Sequence, residues 1–176
     1  MATQSDEIST VNPQYTTWLP IWTKSRDAAE GQEAIKDKGE TYLPKGNGQN
    51  DGTYKKYKQR AVYYNATQRT VEGLSGVMFR IQPDINFPEE QEELVKMATF
   101  GGKSITDFAM EVADDQLKVS RTGIMVDYPA TAESDMELTV AQQEAIGLRP
   151  YMSMYKAENI INWRYETVSN GVRLKQ

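Results

Sequence analysis

The longest periodic pattern in the chain is carried by Tyr54, Tyr57, Ala61, Tyr64, Gln68, Val71, Leu74 and Met78, which advance in steps of three and four residues. That spacing gathers them on one helical face and predicts a single long helix over 54–78. Gly73 and Gly76, near its end, each cost roughly 1 kcal/mol in an exposed helix, so a bend or a close approach of another backbone is expected there. Upstream, Trp18, Ile21, Trp22, Ala28, Ala29 and Ile35 recur at roughly helical spacing, interrupted by Pro20 and Gly31. These breakers predict two short helices or one broken helix over 15–38. Between the two regions, LPKGNGQNDGT at 43–53 is dense in Gly, Asn and Asp and reads as a loop.

Beyond the long helix, FRIQPDINFP is extended and punctuated by prolines, and PEEQEELVKMATF predicts a short helix with its acids at the electropositive N-terminal end. Ser104, with Asp107 three residues on, makes a start resembling a capping box. Ile105, Phe108, Ala109, Val112, Ala113 and Leu117 then form an apolar helical face. GIMVDYP, 123–129, is a continuous apolar run closed by Pro129, the pattern of a strand buried on both faces. A polar connection over 130–150 leads to YMSMYKAENIINWRYETVSNGVRLKQ, where Asn170-Gly171 between INWRYETV and VRLK signals a hairpin. The expected class is α+β, with long and short helices packed on a small mixed or antiparallel sheet. The polar stretch MATQSDEISTVNPQ reads as a flexible arm over 1–14, leaving one domain over 15–176.

Composition narrows the chemistry. The chain has neither cysteine nor histidine, which removes disulfides, thiolate zinc sites, and Ser-His-Asp or Cys-His catalysis. No apolar run approaches the ~18 residues of a membrane span. A net charge of -5 argues against a general nucleic-acid binder. The charge is nonetheless blocked: between Thr53 and Arg80 the cations Lys55, Lys56, Lys58, Arg60, Arg69 and Arg80 face only Glu72, whereas Asp84, Glu89, Glu90, Glu92 and Glu93 follow without a base. Such blocks pair within one subunit or between neighbours in an assembly. Lys55, Lys56, Lys58, Glu89, Glu90, Glu92 and Glu93 are therefore candidate subunit-interface residues.

Gly102-Lys103-Ser104, followed by a helix and a strand ending in Asp127, invites a nucleotide-binding reading. A phosphate loop requires a glycine five residues before the Gly-Lys-Ser so that backbone amides can wrap the phosphates, and Met97 stands there. The approach, EELVKMATF, also reads as helix rather than strand. Gly102 to Ser104 is more simply a chain reversal and a cap. Asp127 is then expected to be structural, accepting hydrogen bonds from nearby backbone or pairing with Arg121 or Arg149. NGQNDG at 47–52 lacks the alternating acids and terminal Glu of a calcium loop, and Glu133, Asp135 and Glu137 lie in a polar connection that suits solvation. No constellation forms a catalytic, cofactor or metal site.

Taken in order, WLPIW, TYLPK at 41–45, YKKYKQRAVYYNATQRTVEGLSGVMFR, GKSITDFAMEVADDQLKVSRTGIMVDYP and RPYMSMYKAENIINWRY resemble a family of tailed-bacteriophage portal proteins over about residues 15–165. The most specific elements are Arg121-Thr122-Gly123 with its apolar strand, and the later RPY with Ala157-Glu158-Asn159-Ile160-Ile161-Asn162-Trp163. The resemblance implies a non-enzymatic subunit of a dodecameric ring at one capsid vertex, assembled in the host cytoplasm and resident in the virion. DNA is packaged and ejected through that ring, and terminase, head-completion and capsid proteins dock to it. Family members are longer, so this chain matches their N-terminal, peripheral wing, with stem, clip and tunnel expected beyond Gln176 and no direct DNA contact expected here. The alternatives are a small nucleotide-binding protein using Lys103, Ser104 and Asp127, or another phage head-tail connector component.

Overall fold

The computed structural model describes residues 10–89, 92–129, 139, 142, 148–168 and 171–175, with the backbone alone described for 165–168 and 171–175. The fold is α+β. Among the described residues, α1 spans Pro13–Glu30, α2 Gln32–Asp37, α3 Asp51–Arg60, α4 Ala66–Met78, α5 Glu92–Lys96 and α6 Ile105–Val119. Strands β1 (Thr122–Asp127) and β2 (Tyr151–Lys156) pair antiparallel, as do β3 (Arg164–Val168) and β4 (Gly171–Lys175). Contacts cluster into two compact units: residues up to Leu74 with Leu117–Val119 and the chain from Ala157, and Ser75–Gln116 with Ser120–Lys156.

In the first unit, Asn12 caps α1 by accepting from the Gln14 amide, and Pro13 occupies the first helical position, where its missing donor costs nothing. The helix runs unbroken through Pro20, contrary to the expected interruption. The carbonyl four residues back belongs to Thr16, and both residues are exposed, so water takes the acceptor that the proline leaves free. The break falls at Gly31, whose φ of 94° only glycine adopts readily and whose amide bonds the Asp27 carbonyl.

The core of this unit is Trp22, Val119 and Ala157, with Tyr15 and Leu19 packed against it. The Tyr15 ring meets Trp22 edge-on at 6.0 Å. The chain around Ala157, a 3-10 turn over Ala157–Asn159, is fastened to α1 by polar groups as well. Arg26 forks onto the Glu158 carboxylate, with one of its bonds at 2.9 Å. Tyr15 donates its hydroxyl to the Glu158 carbonyl, and Asn12 bonds the Ile161 and Trp163 carbonyls through its backbone and side-chain nitrogens.

The predicted helix over 54–78 is two helices. Ala61–Asn65 is non-helical, and its groups are used elsewhere: the Tyr63 amide donates to Gln32 Oε1, its hydroxyl to the Ala28 carbonyl, and Asn65 Nδ2 to the Ala29 carbonyl at 2.7 Å. Asn65 Oδ1 then accepts from the Gln68 amide, starting α4 afresh. Tertiary bonds to α1 and α2 outweigh continuous helical spacing. The expected loop over 43–53 holds for 43–50, while its last three residues open α3, which Asn50 caps by accepting from the Thr53 amide.

In the second unit, Ser104 caps α6 by accepting from the Asp107 amide, and its hydroxyl donates to the Asp107 carboxylate at 2.7 Å. The segment 79–88 has no regular structure. The β1–β2 register runs from Thr122↔Lys156 to Asp127↔Tyr151. A parallel bridge, Thr99↔Met152, places a short third segment on the far edge of β2. β1 has no such neighbour among the described residues. Ile124, Met125 and Val126 are all exposed, so the expected burial on both faces fails. β3 and β4 pair Val168↔Gly171, consistent with the expected hairpin, although Asn170 lies outside the described residues. So do most of the polar connection, including Glu133, Asp135 and Glu137, and residues 1–9 of the predicted arm.

Gly31→Ala is expected to destabilise the fold by about 1–3 kcal/mol in chemical denaturation, since the new Cβ would stand 2.7 Å from Asn65 Nδ2 at a strained φ. A second test uses pH. Tyr42 donates its hydroxyl to the buried Asp27 carboxylate at 2.6 Å, and that hydrogen bond, with burial and the carboxylate's charge, pushes the phenol up to about 12. Its contribution is therefore complete below pH ~10 and is lost as pH rises towards 12. Tyr42→Phe should flatten that alkaline decline in a denaturation series; an unchanged slope would count against the bond.

Candidate functional site

The Gly-Lys-Ser segment is a reversal between α5 and α6. The Lys103 carbonyl accepts from the Ala98 and Thr99 amides, the Gly102 amide donates to the Thr99 carbonyl, and the Lys103 amide donates to Thr99 Oγ1. Gly102 supplies the positive φ, 79°, that closes the turn. The Lys103 ammonium reaches Glu111 Oε2 at 2.5 Å, and Ser104 is engaged in capping. The segment is approached from the short helix α5 and bridges the edge of β2, with the Met152 amide donating to the Ala98 carbonyl. Neither the strand approach nor the wrapped backbone of a phosphate loop is present.

Asp127 sits exposed at the end of β1. Its carboxylate accepts from the Tyr128 amide at 2.8 Å and from the cross-strand Tyr151 hydroxyl at 3.4 Å. The nearby carboxylate and partial burial hold the Tyr151 phenol above its usual range, burial being the larger cause. Arg149, offered above as a partner for Asp127, instead turns its guanidinium to the Met97 carbonyl and, at 2.9 Å, to the Thr99 carbonyl. Met97 follows the last turn of α5, where carbonyls lack helical donors, so the planar fork of an arginine fits the need. Arg121, partly buried, immediately precedes β1.

The charged candidates divide between the units. Lys55 and Lys56 are exposed on α3 and Lys58 is half-buried there. Glu89, Glu92 and Glu93 are exposed in the second unit, Glu92 lying 3.9 Å from Lys96 one helical turn on, and Glu90 is outside the described residues. No group of three or more acids with metal-binding geometry occurs among the described residues.

What the sequence reading missed is an apolar concavity in the second unit of about 260 Å³, lined by Phe87, Leu94, Ile105, Val126 and Met152 around Ala98, with Pro150 and Tyr151 at its edge. Ala98 is almost wholly buried at its floor, while Val126 is 69% exposed at its rim. Five separate stretches contribute, so no local pattern announces it. The one available signal was an apolar strand with a single partner in sight. No protein-family model matches the chain, and no curated protein matches it.

Lys103→Ala should leave ATP binding at background in equilibrium titration and change stability by no more than ~1 kcal/mol, since its ion pair is exposed. Arg149→Ala should cost about 1–3 kcal/mol by leaving two carbonyls without their charged donor. Saturable ATP binding abolished by Lys103→Ala, or a neutral Arg149→Ala, would contradict these roles.

Proposed function

We propose that the chain is a structural subunit of a tailed-bacteriophage portal ring, forming part of its peripheral wing and contributing assembly surfaces rather than catalysis. The observation that carries this reading is the pairing of the two stretches on which the family resemblance rests. Thr122–Asp127, entered from Arg121, lies in antiparallel register against Tyr151–Lys156, entered from Arg149-Pro150. The Ala157–Trp163 stretch supports the same reading, because its residues carry out packing: Ala157 is completely buried, and Glu158 holds the Arg26 fork. A motif made of packing residues suits a scaffold role.

The exposed surface is consistent with a part of an assembly. Leu74, Val77 and Met78 on α4, Ile124, Met125 and Val126 on β1, and Ile81 and Phe87 are exposed, as expected of surfaces that partners cover. In the ring reading, terminase and head-completion proteins dock to the assembled vertex, DNA passes through the ring, and this segment is not expected to touch it.

Electron microscopy and mass measurement of the purified full-length protein test the proposal. Closed rings, dodecameric as the resemblance implies, are expected. A particle that remains monomeric across concentration and salt would overturn it.

A further inference from the structure

Among the described residues, two apolar surfaces of different shape stand exposed in the second unit and on the helix that leads into it. One is a ridge: Leu74, Val77 and Met78 at the end of α4 and Ile81 just beyond, with Val77 74% and Ile81 76% exposed. Leu74, Val77 and Met78, at spacings of three and four, share one face of α4, the pattern of a helix face that enters a groove, and Ile81 follows in the turn beyond it. The other is the concavity lined by Phe87, Leu94, Ile105, Val126 and Met152, none of which belongs to the ridge.

Charge follows the same division. Arg80 is exposed between the ridge residues Met78 and Ile81, whereas Asp84, Glu89, Glu92 and Glu93, all exposed, flank Phe87 and Leu94 in the chain.

We propose that the α4 ridge of one copy of this chain seats in the apolar groove of a second copy. Arg80 meets the acids beside the groove, and Val77 and Ile81 fill it. Because ridge and groove differ, the contact is heterologous, and every copy offers one of each. It deepens the ring reading above and rests on it for closure: the same contact without closure gives an open filament.

The 176-residue chain has no cysteine of its own, so cysteines introduced into it test the contact directly by crosslinking. Val77→Cys and Val126→Cys change exposed positions and should fold normally. Under mild oxidation the variant carrying both is expected to give a ladder of covalent multimers. A mixture of the two single variants should give dimers containing one of each. An intramolecular disulfide, or no crosslink between copies, would overturn the proposal. Val77→Asp should weaken self-association about tenfold or more, with circular dichroism unchanged, because it places a charge in an apolar contact. Unaltered association would also overturn it. Electron microscopy of the same samples separates the two readings: rings without the crosslink leave the ring standing and sink this contact, whereas crosslinked open filaments support the contact and sink the ring.

Discussion

The attachment of Ala157–Trp163 to α1 is the constraint around which the first unit is organised. Residues more than a hundred positions apart in the chain must meet before Trp22, Val119 and Ala157 can exclude water together. Ala157 has no exposed surface, which limits that position to a side chain no larger than a methyl group. Around this small apolar centre the Arg26–Glu158 fork and the Asn12 and Tyr15 bonds set direction. The fork's side chains are only partly buried, so it loses less hydration than a fully interior pair, while two parallel bonds fix its geometry. Burial supplies adhesion here, and the polar bonds supply register.

Much of the fold was legible where the deciding interactions are local. Ser104 with Asp107, the Gly- and Asn-rich loop over 43–50, the apolar face of α6 and the hairpin flanking Asn170 each depend on groups within a few residues of one another. The failures share a different cause. At Ala61–Asn65 the spacing favours helix, but Tyr63 and Asn65 find better partners on α1 and α2. Asn65 followed by Gln68 was itself a readable start signal, hidden inside a longer periodic pattern. Pro20 was misread in the other direction, because the cost of a helical proline depends on whether water reaches the carbonyl it abandons.

The candidate site was less legible, for a related reason. Periodicity identified the apolar face of α4, yet only Val71 is buried on that helix, and Leu74, Val77 and Met78 are not. The same holds for β1, whose three apolar residues were read as doubly buried. An apolar pattern states that a surface favours leaving water; it does not state whether its cover comes from the same chain. The charged residues were easier to find and say less, because exposed Lys55, Lys56, Glu92 and Glu93 are compatible with solvation as well as with contact.

The magnitudes bear on what a ridge-in-groove contact can do alone. Fully burying a Val, Ile, Leu or Met side chain is worth about 1.5–3 kcal/mol, and the proposed contact, with each ridge and groove residue covered in part, would amount to several such increments. Association costs an estimated ~4–15 kcal/mol in lost freedom and ordering. A single contact of this size therefore sits near balance, and isolated pairs of subunits should form and dissociate readily. Closure changes the comparison, because the last subunit of a ring gains two contacts while giving up its freedom once. Repeated weak contacts thus favour the completed ring over its fragments, and a subunit can keep its apolar surfaces modest enough to remain soluble before assembly.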